Sequence, residues 1–256
     1  VIICGTTGET ATMTREEHLE TIRFAVETVN GRIPVIAGTG SNSTSTAAEV
    51  SKAAASMGVD GLLLVTPFYN KATQNGLIAH FTAVAEAAPK TPVILYNVPS
   101  RTGCNLQSAA VAHLVKNVKN IVGLKAASGN LSQIADTVWA CGRDLDLYSG
   151  NDDQVVPIMS LGGIGVISVL SNVAPRQTHE MAARMLSGDV AGAAEIQIRM
   201  LPLIRALFCE VNPIPVKAAL NMMGMEAGPL RLPLTELEDA HKEQLRSALL
   251  EAGLLQ

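Results

Sequence analysis

Apolar residues fall into short continuous runs that alternate with stretches of helical period as far as about residue 190. The runs at 1–4, 33–37, 61–65, 92–96, 121–125, 145–149 and 165–169 have strand length. They are rich in leucine and β-branched residues and do not alternate with polar ones, which is the pattern of strands buried on both faces in a parallel sheet. Between them, helical period predicts helices over about 16–29, 45–57, 74–88, 106–116, 131–141, 152–161 and 175–186. Thr14 is a predicted N-cap for the first, with Glu17 completing a capping box.

This makes seven βα units, and eight close a barrel. The first run opens the sequence in mid-strand. The expectation is therefore an α/β fold of the (β/α)8 TIM-barrel type whose first βα unit lies outside the sequence in hand. A doubly wound open sheet is the competing architecture, but it usually carries a glycine-rich loop after its first strand. Gly38-Thr39-Gly40 lacks the third glycine and any lysine. Beyond 190 the period stays helical, with helices predicted at 190–208, 215–224 and 235–252 and a rigid proline turn at 212–215. The expected division is a barrel over 1–188 and a helical domain over 189–256.

Composition narrows the function. The 256 residues are 48% hydrophobic and 16% charged, enough for one large core. The formal charge of −4 comes without a basic stripe, which argues against a nucleic-acid partner. No apolar run is long enough to cross a bilayer. Cys4, Cys104, Cys141 and Cys209 are far apart and read as buried thiols of a reducing, cytoplasmic setting. His18, His80, His113, His179 and His241 fall on helical segments without ligand spacing, so neither a metal site nor Ser-His-Asp chemistry is expected.

The informative polar residues lie at the C-terminal ends of the predicted strands, where barrels of parallel strands do their chemistry. Lys125 closes the run Ile121-Val122-Gly123-Leu124. An ammonium held against an apolar core loses hydration, its pKa falls, and the free amine can form a Schiff base with a carbonyl. The alternative is a lysine that snorkels to solvent. Gly5-Thr6-Thr7-Gly8 offers backbone N–H groups and two hydroxyls to a carboxylate, or is a plain turn before a helix. Tyr69 and Tyr96 are two of only three tyrosines and both sit at this rim, where paired phenols can relay protons. Arg101 is placed to grip a second carboxylate.

These segments carry a resemblance. G-T-T-G-E at 5–9, T-P-F-Y-N at 66–70, Y-N-V-P-S-R-T-G at 96–103, G-L-K at 123–125, G-V-I-S-V at 165–169 and N-P-I-P-V-K at 212–217 are similar to dihydrodipicolinate synthases, within the pyruvate-dependent class I aldolases. The likeness runs over essentially the whole chain. It implies a (β/α)8 barrel with a C-terminal helical extension, usually a homotetramer. It implies a lyase that condenses pyruvate with L-aspartate-4-semialdehyde, the entry to diaminopimelate and lysine biosynthesis, with no cofactor beyond the imine on a lysine. By position, Lys125 forms that imine and Tyr96 is the acid/base residue. Thr7 links Tyr96 to Tyr69, which reaches across an interface. Thr6 and Thr7 hold the pyruvate carboxylate, Arg101 holds that of the semialdehyde, and Ile167 lines the pocket near Gly150.

The sequence departs from the family in two further places besides its opening. Ala126 stands where many members have an acidic residue after the lysine, which is expected to remove a polar group beside the site. Phe68 and Thr46 stand where lysine-inhibited members carry a tyrosine and a glutamate, while His18 and Asn42 are kept, so lysine feedback is expected to be weak or absent. Two other readings stay open. One is a sibling aldolase acting on N-acetylneuraminate or a 2-keto-3-deoxy sugar acid, against which Arg101 argues. The other is a barrel that binds a keto acid without turnover.

Overall fold

A computed structural model describes residues 1–255. Seven strands form one parallel sheet in sequence order: β1 (Ile2–Ile3), β2 (Ile36–Gly38), β3 (Gly61–Val65), β4 (Val93–Asn97), β5 (Ile121–Ala126), β6 (Asp146–Ser149) and β7 (Gly165–Val166). Sequential order with every neighbour parallel requires a crossover after each strand, and helices supply it. They are α1 (Arg15–Val29), α2 (Thr44–Ser56), α3 (Gln74–Glu86), the short α4 (Pro99–Thr102), α5 (Ser108–Asn117), α6 (Leu131–Cys141), α7 (Val155–Ser160) and α8 (Pro175–Ser187). Three more follow without strands: α9 (Val190–Leu207), α10 (Ile214–Met222) and α11 (Asp239–Glu251).

The sheet curls into the greater part of a barrel. Its edges β1 and β7 do not pair, and a cleft of about 1300 Å³ is lined by residues of both. The seven strands expected from the repeat are all present, as one open parallel sheet.

The two faces of the sheet are apolar for different reasons. Leu62, Leu64, Leu95, Leu124 and Ala126 face outward into the main core, under the crossover helices. Leu63, Ile94, Tyr96 and Val98 face inward, as the period of two requires, with Lys125 on that same inner face. A second core joins Leu170, Met181, Ile196, Met200, Leu203 and Leu245, so the last helices pack on the β7 side of the sheet.

Capping follows the sequence. Thr14 accepts from Glu17 N, and the Glu17 carboxylate accepts from Thr14 N at 2.9 Å, so the predicted capping box closes α1. Ser43, Thr73 and Asn130 cap α2, α3 and α6 in the same way.

Ala126 corrects an expectation. It is buried in the sheet–helix core, on the face opposite Lys125. Its side chain therefore does not stand beside the strand-end residues, and a small apolar residue is what that layer packs.

Candidate active site

Three adjacent strands build the floor of the cleft. Tyr96 of β4 pairs with Lys125 of β5, and Lys125 pairs with Tyr148 of β6. Register partners in a parallel sheet point to the same face, so the amine is set between two phenols. Lys125 Nζ lies 4.2 Å from the centroid of the Tyr96 ring.

Gly150 makes this packing possible. A Cβ there would come within 3.1 Å of Lys125 Cγ and 2.8 Å of Ala127 Cβ, and its N–H donates to Ala126 O at 2.7 Å. Only a residue without a side chain lets the chain after β6 approach β5 so closely. Ile167 N donates to Ser149 O at 2.8 Å, which carries the chain after β7 along the wall of the same cleft.

Burial pulls the Lys125 pKa down to about 8. Asp152 pushes it up and Arg101 pulls it further down. Burial raises Tyr96 above the ordinary phenol value, while the Arg101 charge and the Thr6 hydroxyl beside it work the other way. A lysine that titrates near neutrality beside a protonated phenol is equipped for amine chemistry on a carbonyl. Cys4, also on the cleft wall, is not a competing nucleophile, because burial lifts its thiol to about 11.

Thr6, Thr7, Arg101, Gly150 and Ile167 all line the cleft with Lys125 and Tyr96. Thr6 and Thr7 sit in a single turn, 6–8, that lines the cleft. Tyr69 is not among them. It is 89% exposed, in a left-handed backbone conformation. Among the described residues no hydrogen bond joins Thr7 to Tyr96 or Tyr69. The Tyr96 phenol has Thr6 beside it.

Two residues enter that the sequence did not single out. Asp152 is 2% exposed and its Oδ2 accepts from Val169 N at 3.0 Å and Leu170 N at 2.9 Å. Burial raises its pKa, opposed by Ser168, the two N–H groups and Lys125. Asn212 comes from the helical segment: its Nδ2 donates to Thr7 Oγ1 at 3.0 Å, and its carbonyl accepts from Arg101 Nη2 at 3.2 Å. The second had a signal, since it opens the N-P-I-P-V-K run, but an asparagine before proline reads as turn punctuation.

The same segment grips the turn from its other side. Glu9 accepts from Lys217 Nζ at 2.8 Å and from Arg231 N at 2.7 Å. Arg231 also reaches Glu17 at 2.8 Å. Glu210, at the edge of the cleft, forms a cluster of possible metal ligands with Glu238 and His241. Their contacts, Glu238 N and His241 Nδ1 on Glu210 Oε1, read as an anchor for the start of α11.

The model of the Dihydrodipicolinate synthetase family matches residues 1–252. A 4-hydroxy-tetrahydrodipicolinate synthase of Lachnoclostridium phytofermentans is 59% identical over 255 residues, covering 100% of this chain and 86% of that protein. One from a Thermoanaerobacter species is 54% identical over 255 residues, with the same coverage of 100% and 86%. Among solved structures, the dihydrodipicolinate synthase of Thermotoga maritima superposes with a TM-score of 0.96 at 43% identity, over 99% of this chain and 87% of that one.

Proposed function

Because this chain belongs to the Dihydrodipicolinate synthetase family, we propose that it is a lyase condensing pyruvate with L-aspartate-4-semialdehyde to 4-hydroxy-tetrahydrodipicolinate, with Lys125 as the amine that carries pyruvate. The single observation that supports this most is the partly desolvated Lys125 amine over the Tyr96 ring, at the floor of a cleft rimmed by Thr6, Thr7 and Arg101.

The residues suit each step. The neutral Lys125 amine attacks the C2 carbonyl of pyruvate, and loss of water gives an imine. The protonated imine is an electron sink, so a C3 proton leaves and an enamine forms. The enamine carbon attacks the aldehyde, and the resulting alkoxide takes a proton. The amine of the second substrate then adds to C2, closes the ring and expels Lys125 as a free amine. Tyr96 is the proton carrier for imine formation and alkoxide protonation, since it adjoins the nitrogen and keeps its proton at neutral pH. Thr6 and Thr7 hold the pyruvate carboxylate. Arg101 at the mouth holds the carboxylate of the semialdehyde, with Gly150 and the Ile167 backbone completing the wall. No cofactor is required, because the lysine itself supplies the electrophile.

The seven strands are read as the bulk of a (β/α)8 barrel over 1–188, with 189–256 as the helical domain. Tyr69, exposed beside the rim, is assigned to a neighbouring subunit's site in a homotetramer. The reading includes a cytoplasmic setting. Among the described residues no helix is long and apolar enough to cross a membrane. The sugar-acid aldolase reading is disfavoured by Arg101 and by the relatives named above.

The deciding experiment is incubation with pyruvate and borohydride followed by peptide mass spectrometry. A reduced adduct on Lys125 is the expected result. An unmodified Lys125 in folded protein would overturn the assignment.

A further inference from the structure

The reading above, on which this inference rests, needs two anion-binding groups, Thr7 for one carboxylate and Arg101 for the other. A single residue of the helical segment touches both. Asn212 lies in the turn between α9 and α10 and is 4% exposed. Its side-chain amide reaches Thr7, 205 residues away in the chain, and its backbone carbonyl reaches Arg101, 111 residues away. Its Nδ2 is the side-chain atom placed against Thr7, and its Oδ1 is buried without a partner.

We infer that Asn212 is a positioning residue that turns Thr7 into a hydrogen-bond donor for the keto-acid carboxylate while its backbone sets the reach of Arg101. The argument is one of proton count. A hydroxyl has one proton and two lone pairs. When the Asn212 N–H occupies a lone pair of Thr7, the hydroxyl proton is left for an acceptor on the cleft side. A carboxylate only accepts, so it needs that proton. With an acceptor at position 212, Thr7 would donate to it and present a lone pair to the substrate. Arg101 depends on the backbone carbonyl instead, which every side chain at 212 retains. The two supports are thus separable by substitution. Lys217 and Arg231 on Glu9 fix the far side of the turn, so Thr7 stays in place when its Asn212 partner changes.

The test is steady-state kinetics of the full chain with each substrate varied in turn. Asn212→Asp is expected to raise KM for pyruvate about tenfold or more, since it reverses the donor and adds a charge facing the carboxylate. KM for the semialdehyde should move by no more than about twofold, as the carbonyl still receives Arg101. Asn212→Ala removes the donor without adding charge and should raise KM for pyruvate roughly two- to tenfold, with kcat at saturation largely retained. This variant decides the matter if the aspartate melts early. A double-mutant cycle gives an independent reading: in a Thr7→Val background, Asn212→Ala should have no further effect on pyruvate. Equal rises for both substrates, a loss confined to kcat, or additive effects in the cycle would overturn the inference. The unaltered protein is assayed first for the borohydride adduct. Its absence there removes the parent reading and this one together. An adduct in the parent with unchanged pyruvate dependence in both variants removes this one alone.

Discussion

Lys125 and Tyr96 are register partners on adjacent strands, and the amine of the first lies 4.2 Å from the ring centroid of the second. The contact works in both directions. The ring face favours the ammonium, while burial disfavours it and sets the pKa to about 8. The lysine is thereby held near the point where both protonation states are available at physiological pH, which suits a group that must be an amine to attack and a cation, as iminium, to draw electrons.

This poise has a measurable pH dependence. The free-amine fraction rises with pH through about 8, so the initial rate of borohydride-trapped adduct formation should climb through that value and level off above it. At pH 6 the rate should be about a hundredfold below the plateau, a factor of ten per unit. Stability follows with a definite sign. The unfolded lysine binds its proton up to about 10.5 and the folded one only to about 8, so the unfolded state holds more protons between those values and stability rises with pH there. The cost of burying the charge is therefore fully present below pH 8. Lys125→Met should abolish the adduct and raise stability at pH 7 by roughly 1–3 kcal/mol, a gain that closes toward pH 10.5 in denaturant titrations.

Tyr96→Phe keeps the ring under the amine and removes the proton carrier. The adduct should still form with pyruvate alone, more slowly, while kcat for condensation falls by about two to three orders of magnitude. A kcat within a factor of three of the parent would take the acid/base role away from Tyr96.

Arg101 has a double influence. Arg101→Ala should raise KM for the semialdehyde about ten- to a hundredfold by removing a charge-assisted contact. Because the guanidinium also helps hold the Lys125 pKa down, the acidic limb of the adduct-rate profile should move to higher pH in this variant. A shift to lower pH would contradict the electrostatic account.

Lysine feedback should be weak. A cavity of about 440 Å³ behind the 6–8 turn is lined by Thr46, Phe68, His18 and Arg15, and among the described residues lining it there is no carboxylate. The α-carboxylate of free lysine would find Arg15 there, but neither ammonium would find an anion. Millimolar L-lysine is expected to leave the initial rate within about 20% of its value without it, since an unpaired ammonium leaves little affinity. Strong inhibition at that level would refute this expectation.

Much of this arrangement could be read from residue order. Helix 131–141 was legible to the residue because Asn130 caps it and Gly142 follows it. Strand 61–65 was equally clear as an apolar block opened by glycine. The 165–169 run was not, because only Gly165–Val166 pairs. The N–H groups of Val169 and Leu170 go to the Asp152 carboxylate instead of a neighbouring strand. The same carboxylate lies in the tight turn 152–154 that opens the helix expected over 152–161. Strand-end residues such as Lys125 and Tyr96 stood out because a polar group terminating an apolar run is a local signal. Asp152 and Asn212 gave no such signal, since what matters about them is whom they meet across the fold. Ala126 shows the converse: adjacency to Lys125 in the chain placed it on the opposite face.

The long-range ties to the 6–9 turn also bear on the order in which the molecule comes into being. Thr7 is held by Asn212, Glu9 by Lys217 and Arg231, and Glu17 by Arg231, each pair separated by more than 200 residues. On a ribosome that works from the first residue to the last, every strand of the sheet and the lysine itself emerge well before those partners do. A nascent chain that has folded only its sheet has its amine in place but lacks the braces on its carboxylate-binding turn. The carboxylate-binding turn is thus braced only once the segment around 212–231 has emerged and docked on it.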